Sequence, residues 1–71
     1  MNTDIRLRLA KRIKELRKKK GLTQERLSEL SKIDYKHIQL LESKKAPAAK
    51  LDTIEKLAKA FGMSPSRLIR F

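Results

Sequence analysis

Three times along this chain a helix-capping residue stands between two apolar residues spaced to meet across it: Leu22, Thr23 and Leu27; Ile33, Asp34 and Ile38; Met63, Ser64 and Leu68. In each trio the cap oxygen can accept from free N–H groups of a first helical turn. The residue before the cap then packs on the fourth helical residue and sets the angle of entry. Three such entries commit the chain to helices. The few glycines and prolines agree: Gly21 and Gly62 fall where a helix would stop, and Pro65 follows Ser64 in the first-turn position that proline tolerates best.

Apolar spacing supplies the remaining helices. Ile5, Leu9, Ile13 and Leu16 recur on one face of a first helix, while Arg6, Arg8, Lys11, Arg12 and Lys14 take the other faces and read as a solvated surface. That helix runs out in Arg17-Lys18-Lys19-Lys20, cations at the negative end of the dipole, before Gly21. Leu51, Ile54, Leu57, Ala58 and Phe61 form the buried stripe of a fourth helix. Asp52 and Glu55 resemble a capping box, but Leu51 belongs to the stripe, so the start is placed at Leu51. The expectation is an all-α fold of five helices near 5–19, 24–31, 35–43, 51–61 and 65–70, in one domain covering 1–71. The linker SKKAPAAK, 43–50, is the one stretch without apolar periodicity.

Size and composition narrow the function. At 71 residues folding hides only roughly 60% of the chain's surface, so the core is thin. No cysteine is present to reinforce it, which excludes disulfides and thiolate metal sites and fits a reducing compartment. No apolar run approaches the roughly 18 residues of a membrane span, and no signal-peptide block opens the chain, so the expected location is cytoplasmic. His37 is the only histidine, and neither a glycine-rich phosphate loop nor metal-ligand spacing occurs, so no enzyme, metal or cofactor is expected. His37 itself reads as a half-buried packing residue or a phosphate donor. Lys and Arg number 19 against 8 Asp and Glu, a net charge of +11. Such an imbalance asks for a polyanionic partner: nucleic acid first, an anionic membrane surface second. The membrane reading requires one long continuous apolar helix face, which the glycines and turns interrupt.

The second and third helices are joined by only Lys32, Ile33 and Asp34, too short for an antiparallel pair and suited to a near-perpendicular turn. The stretch GLTQERLSELSKIDYKHIQLLE, with Ile13, Leu16 and Arg17 before it and Pro47, Leu51 and LAKAFGMSPSRL after it, resembles the phage repressor and Cro proteins, the XRE-type helix-turn-helix family. The resemblance covers about residues 5–70. Two departures stand out: Lys32 and Lys44 occupy places where this family usually has glycine. A non-glycine residue in the left-handed region costs about 1 kcal/mol. The linker is also one residue longer than usual, and Lys50 stands where a serine cap is common.

The resemblance implies a double-stranded DNA partner, with the amino-terminal part of the third helix in the major groove. Helical spacing then sorts its residues. Ile38 and Leu41 point inward, while Tyr35, Lys36, Gln39 and Leu40 face the groove as base readers. Lys36 suits guanine O6 and N7 or a phosphate, Gln39 an adenine or a backbone oxygen, Leu40 a thymine methyl, and Tyr35 a base or a phosphate. Asp34 is the helix cap. Ser43, Lys44 and Lys45 are placed to hold backbone phosphate, and by resemblance Gln24 does so at the start of the second helix. Arg17 and Glu42 lie on core-facing sides of their helices and are expected to form a structural ion pair, as the resemblance also implies. Transcriptional repression by a homodimer on a palindromic operator is the leading function, with no small-molecule ligand. Leu68, Ile69 and Phe71 form an apolar patch that is either the dimer interface or a lid on the protomer's own core. The alternative is a protein-interaction adaptor or an antitoxin built on the same scaffold.

Overall fold

Local capping chemistry places four of the five helix starts. In a computed structural model that describes residues 4–71, the chain forms α1 (Ile5–Lys19), α2 (Gln24–Ser31), α3 (Tyr35–Leu41), α4 (Leu51–Phe61) and α5 (Pro65–Leu68). Thr23 accepts from the Arg26 N–H at 3.0 Å, Asp34 from the Lys36 N–H at 3.1 Å and Ser64 from the Arg67 N–H at 3.2 Å. Lys50 heads α4 without a side-chain cap. Left-handed residues close three helices: Gly21 after α1, Lys32 after α2 and Gly62 after α4. Lys32 is the one non-glycine residue with positive φ among the described residues, so Lys44 carries no such strain.

Two helices are shorter than the spacing predicts. α3 stops at Leu41, not 43, because the Leu40 carbonyl is claimed by both the N–H and the hydroxyl of Ser43. That carbonyl is the one a further helical residue would need. α5 stops at Leu68, not 70, and its last carbonyls turn to a side chain of α1. Arg12 donates from Nε to the Leu68 carbonyl at 3.0 Å and from Nη2 to the Arg67 carbonyl at 2.9 Å. Arg8 reaches the Phe71 carbonyl at 2.9 Å and lies over the Phe71 ring. These two arginines therefore depart from the expected solvated face, whereas Lys11 and Lys14 conform to it.

Replacing Arg12 by Ala leaves two carbonyls of α5 without their charged donor. The expected loss is about 1.5–2 kcal/mol, a fall in Tm of about 10 °C, checked by thermal unfolding beside a Lys14→Ala control that stays within about 0.5 kcal/mol.

All five helices send side chains into one core, in which Ile13, Leu27, Ile38, Leu41, Leu57, Phe61 and Leu68 are essentially inaccessible. Leu22 and Met63, the outer members of two staples, pack on its edge. Two predicted stripe residues do not belong to it: Ile5 is 65% and Leu51 88% exposed. Each opens its helix, where its side chain overhangs the end of the packed layer and no neighbouring element covers it. Leu68 takes the second of its two expected places, fully buried as part of its own protomer's core, and has no surface to offer an interface.

Candidate nucleic-acid interface

The turn between α2 and α3 is held by side chains as well as by Ile33, which is buried. Ser28 donates to the Ile33 carbonyl, Ser31 donates to the Leu27 carbonyl at 2.7 Å, and the Ile33 N–H donates back to Ser31 Oγ at 3.3 Å. Ser28 had no role in the sequence reading. Its only signal there was a small polar residue on the last turn of α2.

On α3 the inward pair Ile38 and Leu41 is buried at 0% and 1%, which fixes what the helix shows to solvent. Tyr35, Lys36, Gln39 and Leu40 lie together on the exposed side, with Leu40 49% accessible although apolar. His37 is half-buried on a flank. Lys44 and Lys45 are exposed just past the helix, and the Lys45 N–H donates to Ser43 Oγ at 3.2 Å.

Arg17 and Glu42 meet as a two-pronged pair: Nε to Oε2 at 2.7 Å and Nη2 to Oε1 at 3.0 Å. Their side chains are only 12% and 3% exposed. The third guanidinium nitrogen donates to the Leu22 carbonyl at 2.8 Å, so one arginine ties α1 to the entry of α2 and to the end of α3. Gln24 completes the carboxylate, donating from Nε2 to Glu42 Oε1 at 3.2 Å. One hydrogen of that amide remains, beside the free N–H groups of the first turn of α2, for an anion approaching from outside. The network fixes α3 without using any of its exposed residues.

Among the described residues no group of His, Cys, Asp and Glu gathers to hold a metal ion, and no helix is long and apolar enough to cross a membrane. What the surface offers is a short helix with a mixed polar and apolar face beside free lysines.

A model of the helix-turn-helix domain matches residues 10–70. The chain belongs to that helix-turn-helix family. It carries the helix-turn-helix domain of DNA-binding regulators of this class. Its fold is similar to that of the restriction-modification controller protein C.AhdI from Aeromonas hydrophila, with a TM-score of 0.83, 34% identity and coverage of 94% of this chain and 98% of the other. The HTH-type transcriptional regulator PuuR of Escherichia coli (strain K12) is 39% identical over 56 residues, 79% of this chain, and PuuR of Shigella flexneri matches to the same extent. The chain spans about 30% of the length of these curated relatives.

Proposed function

We propose that this helix-turn-helix protein is a transcriptional repressor that binds a palindromic operator as a homodimer, with α3 of each copy in the major groove. The observation that carries the reading is the exposed set Tyr35, Lys36, Gln39 and Leu40 on a helix locked from behind by a buried ion pair, in a chain of net charge +11. Lys36 donates to guanine, Leu40 sits on a thymine methyl, and Tyr35 and Gln39 take base edges beside them. Gln24, Ser43, Lys44 and Lys45 hold backbone phosphates, which set register without reading sequence. The controller and regulator names of the relatives support this direction. Residues 1–71 work as one DNA-binding unit, in the cytoplasm of a prokaryotic cell.

The dimer follows from arithmetic and from surface. A seven-residue helix spans about 10 Å, the rise of about three base pairs, too few to single out one site at about 1–3 kcal/mol per pair. Ile69 and Phe71 remain exposed at 49% and 41%, and with Ile5 they rim an apolar groove of about 260 Å³ that Ile54 and Leu9 line. Leu51 extends the same surface along α4. A second copy covers this patch, bringing two reading helices to half-sites about 34 Å apart.

Selecting bound duplexes from a random pool tests both parts. A palindromic consensus with half-sites one helical turn apart is the expected result, and a Lys36→Ala chain should relax the preference for guanine at one position by about 1–3 kcal/mol. Recovery of unenriched sequences would sink the base-reading assignment, and a single unrepeated site the dimer.

A further inference from the structure

α3 has two flanks, and of the phosphate contacts assigned above Gln24, Ser43 and Lys44 lie on one of them. On the flank turned toward α1 and α2 sit Glu42 and Gln24, with Ser43 and Lys44 beside Lys11 and Lys14 of α1. The opposite flank opens into a cleft of about 480 Å³ between α3 and α4. Lys32 stands at one end of it, Lys36 and Leu40 form the α3 wall, and Thr53 and Lys56 form the α4 wall.

We propose that this cleft grips the second sugar-phosphate strand of the groove, with Lys32 and Lys56 as its phosphate donors. The inference rests on the DNA-reading role proposed for α3. A helix with its side chains is about 10–12 Å across and the major groove about 12 Å wide, so a seated helix meets a backbone on each flank. Because the cleft shares Lys36 and Leu40 with the reading face, seating that face brings the cleft over a strand. Gln24, on the other flank, meets the opposite one.

Charge points the same way. Three lysines line the cleft against one carboxylate, Asp34, and that carboxylate already accepts from the Lys36 backbone N–H as the cap of α3. Among the described residues none of the three lysines forms an ion pair. Like charges gathered around an open cleft repel each other until an anion enters.

The backbone supplies an independent argument. Lys32 lies at φ 61 and ψ 26, in the left-handed region where glycine is the residue without penalty. Strained positions of this kind gather at ligand-binding sites, and Lys32 carries an exposed side chain there, at the mouth of the cleft.

The two effects of Lys32 separate experimentally. Duplexes recovered from the random pool are titrated with wild type, Lys32→Gly, Lys56→Gln and the double variant from 50 to 200 mM salt. Each lost lysine should weaken binding about eightfold near 0.1 M salt and reduce the slope of log K against log salt by about 0.9, and Lys32→Arg should restore it. The Tm of Lys32→Gly should meanwhile hold or rise by up to about 5 °C, since glycine relaxes the turn. If wild type binds sequence-selectively and the double variant keeps the wild-type slope, the cleft faces solvent and the inference fails while the reading face stands. If affinity falls only together with Tm, Lys32 is a turn residue and the inference fails too. If wild type binds no duplex at all, both proposals fall.

Discussion

Arg17→Met is expected to remove about 3–5 kcal/mol of stability at neutral pH, read from denaturant unfolding. The substitution leaves Glu42, 3% exposed, with Gln24 as its one remaining side-chain partner among the described residues. A carboxylate kept from water needs more than one neutral donor, and the fork of Arg17 supplied two charged ones. A chain of 71 residues commands only about 4–10 kcal/mol in total, so the variant stands close to its unfolding threshold. Replacing both partners, as Arg17→Met with Glu42→Leu, removes the stranded charge and should return stability to within about 1 kcal/mol of wild type. A single variant as stable as the double would mean that water reaches Glu42, and the orienting role given to the pair would be lost.

The second large effect is on binding. With about six phosphates neutralised per bound unit, affinity for the selected duplex should fall about a thousandfold between 50 and 200 mM salt, a slope near −5 in fluorescence anisotropy titrations. The net charge of +11 makes the direction unavoidable for any polyanion, so the magnitude decides. A slope shallower than about −2 would place the lysines away from the strands and favour the adaptor reading.

Which features were legible in the sequence depends on the range of the forces that create them. Caps and staples are settled within five residues, and so the starts of α2, α3 and α5 could be read from Thr23, Asp34 and Ser64, and the ends of α1 and α4 from Gly21 and Gly62. Periodicity, by contrast, names a face and not what lies over it. Ile5 and Leu51 sit at the correct phase yet extend past the packed layer, and Leu68 turned out to be core where a surface patch was one of two options. Contacts made by long side chains to distant backbone carry no local signature at all. Arg12 looks like Lys14 in the sequence until α5 folds back to present its carbonyls. The cleft was hidden for the same reason, since Lys32 and Lys56 meet only when α4 has packed beside α3. The opposite holds for Tyr35, Lys36, Gln39 and Leu40, whose shared exposure follows from burying Ile38 and Leu41.

Ile38 and Leu41 also govern whether α3 exists as a helix at all. Helices below about 12 residues barely persist alone in water, and this one has seven. It exists because both anchors are sunk in the common core and its far end is pinned by Glu42. For the DNA binding proposed, the protein would thus arrive as a finished stamp: the entropy of ordering α3 is spent during folding, with no coil-to-helix penalty left to subtract from affinity.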